Sequence, residues 1–230
     1  MNRIAILYIS GAGLDTAIWD AVKAQVATPG YDITHSRSKD ATLEGAVQEG
    51  LEQVQSITAE KYIIVAHSLG GVIGIELARR LGDKLAGFVA LSAAIPKPGK
   101  SFVAALPFPQ KLILPLVLRL VGTKPPVSAI RSGLCSDLGD AQANAIIEAF
   151  TPEPLRLYID TTTQSALPQV DYLYIRSLKD KEFSPQLQSA MMKQLPDAKV
   201  VDIESGHMAM INRTDELAAA LNDFIASAAP

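Results

Sequence analysis

The run Tyr62-Ile63-Ile64-Val65, followed at once by Ala66-His67-Ser68-Leu69-Gly70-Gly71, constrains this chain more than any other stretch. A short apolar run with β-branched members reads as a buried strand. The residues after it, Val72 to Leu81, read as a helix that stops at Gly82. A serine between strand and helix, with small residues two positions away on either side, fits a nucleophile elbow. Such a turn is too tight for side chains at its flanks and lifts the hydroxyl clear of the backbone. The small-x-Ser-x-small pattern is weak by itself and strong in this setting.

A serine hydroxyl needs a base to take its proton, and the chain holds three histidines. His67 adjoins the serine and would point the wrong way off the turn. His35 lies upstream, near the end of an early strand. His207 follows the strand-like Lys199-Val200-Val201-Asp202-Ile203. Chains built on this elbow run serine, acid, histidine, an order that only His207 obeys. The acid should sit on a loop after a strand between Ser68 and His207, where it fixes the imidazole tautomer. Tyr172 to Ser177 alternates as a strand would, and Asp180 comes three residues later. Asp171 would lie at the opposite end of that strand, Asp160 in a helical or covering segment, and Glu182 two residues further along the same loop. Asp180 is the favoured carboxylate.

Charge developing on a carbonyl oxygen is stabilised by two backbone donors. One is expected from the Leu69 amide at the helix start. The other should come from the loop Ser10-Gly11-Ala12-Gly13 after the strand Ile4 to Ile9, with the Ala12 amide favoured. Gly11, His67 and Met208, which flank these groups in sequence, are expected to border the substrate.

Strand-like stretches at 3–9, 31–36, 61–66, 85–92, 171–177 and 198–203 alternate with helix-like ones at 17–26, 40–56, 69–81, 185–194 and 214–227. This alternation predicts an α/β fold, a mostly parallel sheet covered by helices on both faces. At 230 residues the chain is expected to form a single domain spanning 1–230. The pattern breaks over about 95–169, which carries ten of the fourteen prolines. That stretch is read as a helical lid within the domain, inserted after the strand at 85–92. From Ile95 to Ser136 it holds Lys97, Lys100, Lys111, Arg119, Lys124 and Arg131 but no acidic residue. With many apolar residues interleaved, this suits a pocket roof whose basic stems reach water, or contact with an apolar, anionic or lipid partner.

A formal net charge of −3 gives no reason to expect nucleic acid. One cysteine, Cys135, rules out an intramolecular disulfide and has no partner at metal-ligand spacing. No metal or organic cofactor is expected. Nothing approaches the ~18 continuous apolar residues of a membrane span, and the apolar N-terminal run after Arg3 is too short for a secretory signal. A cytoplasmic protein is the expectation; oligomeric state is not legible.

Taken together, Ser10-Gly11-Ala12, the 66–71 elbow, Ser177-Leu178-Lys179-Asp180 and Gly206-His207-Met208-Ala209-Met210 resemble the α/β-hydrolase superfamily across essentially the full chain. Within it the chain is similar to the plant methyl esterase and hydroxynitrile lyase group and its small bacterial esterase relatives. Ser10 stands where members usually have histidine, and Ala66 where they usually have glycine. The resemblance implies a serine hydrolase that cleaves a carboxylic ester of a small or medium, largely apolar substrate. Lyase members carry a lysine directly after the catalytic histidine; Met208 occupies that place here and disfavours the lyase. A lactonase, thioesterase or carbon–carbon hydrolase, or a ligand-binding protein that keeps the fold, are the alternatives.

Overall fold

Six apolar strand patterns assemble into one sheet in a computed structural model that describes residues 4–228. The strands are β1 (Ile4–Ile9), β2 (Gly30–Ile33), β3 (Lys61–His67), β4 (Leu85–Leu91), β5 (Asp171–Ser177) and β6 (Lys199–Ile203). Arg3, the first residue of the expected opening strand, lies outside the described residues. All pairings are parallel, in the order β2-β1-β3-β4-β5-β6. Between the strands run α1 (Asp20–Lys23), α2 (Leu43–Gln55) and α3 (Gly70–Leu81). Five further helices separate β4 from β5: α4 (Phe102–Ala105), α5 (Gln110–Val121), α6 (Val127–Ser132), α7 (Asp140–Ala149) and α8 (Arg156–Ile159). The chain closes with α9 (Pro185–Met192), α10 (Ala209–Asn212) and α11 (Thr214–Ala228).

The two-residue period of the strands divides the core between the two faces of the sheet. Ala5, Leu7 and Ile9 of β1 join Ile64 and Ala66 of β3 in packing with Val47 of α2 and Ile73 and Leu77 of α3. Ile6 and Tyr8 join Ile63 and Val65 in packing with Val22 of α1 and Leu217 and Leu221 of α11. Both faces of the inner strands are covered, so β1, β3 and β4 read as nearly unbroken apolar runs rather than as alternation. Fully burying a residue such as Ile63 contributes roughly 1.5–3 kcal/mol.

Local chemistry adjusts several boundaries. The helix expected over 17–26 is a 3-10 turn at Thr16–Trp19, started by the Asp15 side chain accepting from the Ala17 amide, followed by the single turn of α1. Edge strand β2 stops at Ile33 because the Thr34 amide turns to the Gln53 Oε1, 3.0 Å away. Helix α2 begins only after Thr42, whose hydroxyl accepts from the Gly45 amide at 2.9 Å.

From β1 the chain crosses to β2 on one side, and every later strand adds on the other. Ile9 pairs with Ala66, so β1 and β3 end level where the strand order reverses. Ligands of open parallel sheets bind at the carboxyl ends of strands at such a point.

Candidate active site

Ser68 leaves β3 with φ +51°, a left-handed conformation that non-glycine residues seldom adopt. The surroundings over-determine this strain. Its carbonyl accepts from the amides of Gly71 and Ala94, at 3.0 and 2.9 Å. A Cβ on Gly70 would lie 2.5 Å from the Ser10 carbonyl oxygen, and one on Gly71 2.6 Å from that of Ala94. The paired glycines therefore let the elbow approach neighbouring backbone. A Cβ on Gly11 would fall 2.7 Å from that of Ser68, so the β1 loop presses directly on the serine.

His207 and Asp180 meet at the ends of β6 and β5. The His207 Nδ1 lies 2.7 Å from Asp180 Oδ2, and both side chains are buried. The loop holds Asp180 in place: its Oδ1 accepts from the amides of Glu182 and Phe183, at 2.7 and 2.9 Å. Burial alone would lower the His207 pKa, but the Asp180 charge and hydrogen bond outweigh it, so the imidazole is raised above its ordinary value. Glu182, the other acid of this loop, makes no hydrogen bond to His207. Its carboxyl is raised above the usual carboxylate range by desolvation, against the opposing pull of the His207 charge.

Ser68 and His207 line one cavity of about 240 Å³ together with Ala12 and Leu69. Among the described residues neither the Ala12 nor the Leu69 amide donates a hydrogen bond. The β4–β5 insertion supplies most of the remaining wall, including Phe102, Leu114, Leu118, Phe150 and Tyr158. The wall is largely apolar, with Thr123, Glu182 and the Tyr158 phenol as its polar exceptions besides the serine and histidine.

Gly11, His67 and Met208 lie outside the cavity wall. His67 and Met208 are buried beneath it, because the last residue of β3 and the residue after His207 both turn toward the core. The His67 Nε2 donates to the His207 carbonyl at 3.0 Å. Its Nδ1 is buried without a partner, and its pKa falls well below the ordinary value through burial and the neighbouring His207 charge. His67 is thus a neutral support for the loop that carries His207.

The other candidates lie elsewhere. Asp171 begins β5 at the far end of the sheet. Asp160 accepts from the Leu43 amide at 3.1 Å and pairs with Arg156, tying the insertion to the start of α2. His35 lies 2.8 Å from Glu153. Cys135 is buried, its thiol pushed up to about 11 by that burial.

Three supporting residues escaped the sequence reading. Glu153 is buried in the insertion, where it accepts from the Gly13 amide at 3.2 Å and pairs with Arg37 at 3.0 Å as well as with His35. Asp137 accepts from the Gly206 amide, just ahead of His207. Gln188 on α9 is fully buried and binds Ser177 backbone, the Phe183 carbonyl and Asp180. Each acts across a gap in sequence, and no local pattern marks any of them.

A level strand end, a strained serine and a buried acid–imidazole pair facing one apolar cavity define the class. Residues 6–220 match the model of the Alpha/beta hydrolase family, and the chain belongs to that family. Over 97% of its length it is 28% identical to a pyrethroid hydrolase of Sphingobium wenxiniae, covering 88% of that protein. It is 23% identical to a pimeloyl-[acyl-carrier protein] methyl ester esterase of Aromatoleum aromaticum, over 98% of this chain and 99% of that one. An extracellular α/β-hydrolase from a Paenibacillus species, described as sharing structural and functional homology with tobacco salicylic acid binding protein 2, matches with a TM-score of 0.79. That likeness, at 16% identity over 95% of this chain and 97% of the other, is one of fold. Among the described residues no helix is long and apolar enough to cross a membrane.

Proposed function

We propose that this chain is a carboxylesterase-type serine hydrolase in which Ser68, His207 and Asp180 form the catalytic triad. The observation that carries the reading is the convergence on one apolar cavity of Ser68 at positive φ, the Asp180-bound His207 and two backbone amides without partners. Relatives named as a pyrethroid hydrolase and as a methyl ester esterase support it.

With Nδ1 committed to Asp180, the His207 Nε2 takes the Ser68 proton as Oγ attacks the ester carbonyl carbon. The carbonyl π electrons move onto oxygen, where the Ala12 and Leu69 amides hold the resulting oxyanion. Collapse breaks the bond to the alkoxy oxygen, which leaves as the alcohol with the proton from His207. Water, deprotonated by the same imidazole, then releases the acid and restores the serine. No step calls for a metal or organic cofactor. The 95–169 insertion acts as a lid within a single domain. A cavity of about 240 Å³ falls below the roughly 300–1,000 Å³ of drug-sized sites and suits a small or medium apolar ester.

Hydrolysis of a p-nitrophenyl ester series by the wild type and Ser68→Ala tests this reading. Loss of turnover on substitution supports it, and the chain-length optimum sizes the cavity. Turnover that survives the substitution refutes it. Covalent labelling of Ser68 by a fluorophosphonate without turnover of any ester would place the chain among binding proteins.

A further inference from the structure

The outer face of α5 is apolar where a water-facing surface would be polar. Leu114 and Leu118 turn inward to line the cavity. On the other side Leu112, Ile113, Leu116 and Leu120 stand 64, 55, 57 and 76% exposed, with Phe108 and Val121 similarly exposed at the ends. These positions follow an i, i+4 stripe, so they form one continuous patch rather than scattered exposed residues.

The charges around the patch are mostly basic: at its far end Asp40 and the buried Glu153 share a pocket with Leu120 and Val121, but beside Arg37, Lys39, Arg119 and Arg156. Lys97, Lys100 and Lys111 line a groove of about 510 Å³ beside the start of α5, together with Val103, Leu112 and Met191 and without an acidic residue. Among the described residues none of these lysines forms an ion pair, and neither do Arg119 and Lys124. Two copies meeting through this face would bring like charges together. An acidic protein would meet the lysines but leave the aliphatic stripe without a matching apolar layer. An anionic lipid surface meets both demands, with phosphate headgroups for the lysines and acyl chains for the leucines.

We propose that the outer face of α5, with the Lys97, Lys100 and Lys111 groove, docks on an anionic lipid surface. The helix then lies in the headgroup plane with its aliphatic side down. Because Leu114 and Leu118 on the opposite side roof the cavity, docking sets the cavity roof against the membrane, where apolar molecules concentrate.

Sedimentation of the full chain with phosphatidylcholine vesicles, with and without phosphatidylglycerol, tests the proposal. The wild type is expected to partition onto the anionic vesicles and to be released by salt. Each lysine near the surface is worth about fivefold in partitioning, so Lys97→Gln/Lys100→Gln/Lys111→Gln should weaken it about 100-fold. Leu116→Ser/Leu120→Ser should weaken it at least as much, and circular dichroism of both variants reports whether the fold is kept. Neither pair nor triple touches the cavity wall, so binding is read apart from turnover. Failure of the wild type to bind anionic vesicles overturns the proposal, as does equal binding to phosphatidylcholine alone. A concentration-dependent dimer abolished by the leucine variant, or capture of an acidic carrier protein without vesicle binding, overturns it in favour of those partners.

Discussion

Replacing Glu153 by alanine should destabilise the chain and also slow it. The carboxylate is buried and accepts from the Gly13 amide, His35 and Arg37, joining the insertion to the loops after β1 and β2. Leaving the Gly13 amide unsatisfied costs about 1–3 kcal/mol. Breaking a buried ion pair costs about 3–5 kcal/mol when the remaining charge stays dry. The Arg37 side chain is 26% exposed and can regain water, which favours the lower end. A net loss of about 3 kcal/mol, at about 2–4 °C per kcal/mol for a chain of this size, lowers Tm by about 6–12 °C. Glu153→Gln keeps an acceptor for Gly13 and should lose about half as much. Gly13 also accepts from the Thr151 amide at 3.1 Å and directly follows Ala12, so the loosened loop should displace the amide proposed to hold the oxyanion. Such a donor acts mainly in the transition state, and kcat should fall with KM little changed. Thermal melts and steady-state kinetics on a soluble ester give both readouts. An unchanged Tm in Glu153→Ala, or a glutamine variant less stable than the alanine one, would refute the reasoning.

Activity should rise with pH through a midpoint above the ordinary histidine value of 6.5, because the Asp180 pair raises His207. Asp180→Asn should lower kcat on the order of 10⁴-fold and move that midpoint down, read from a pH–rate profile; a midpoint that stays put would reject Asp180 as the cause. Stability should respond to a different residue. His67 stays neutral in the native chain well below 6.5, whereas the unfolded chain takes up a proton there. Its contribution is complete above 6.5 and is lost as pH falls, at about 1.4 kcal/mol per pH unit. The raised His207 works in the opposite sense: its stabilisation is complete below 6.5 and is lost as pH rises above that value, so the two pH-dependent windows are separate. Chemical denaturation between pH 6.5 and 5 should show this slope, and His67→Gln should flatten it; an unaltered slope would assign it to other groups.

Much of the architecture was legible because it rests on short-range chemistry. β-branched runs mark β1 and β3, the Gly82 stop ends α3, and the strand–serine–helix context places Ser68 at a turn. These signals are local: a backbone conformation and a burial pattern are imposed by a few consecutive residues. Asp180 and Glu182 show where such signals stop. They share one loop two residues apart, and only the path of that loop, with two of its own amides on Asp180, decides which carboxylate reaches His207.

The sequence by itself determined the order of strands and helices, the sharp turn at Ser68 and the shortlist of acids and bases. Only the tertiary structure decided that Glu153 supports the Gly13 loop, that Asp137 holds Gly206, and that His67 and Met208 lie beneath the cavity rather than along it. Glu153 and Gly13 are 140 positions apart, and Asp137 and Gly206 are 69 apart. A buried polar group takes whichever partner the fold carries to it, because burial makes an unpaired group costly wherever in the chain its partner comes from.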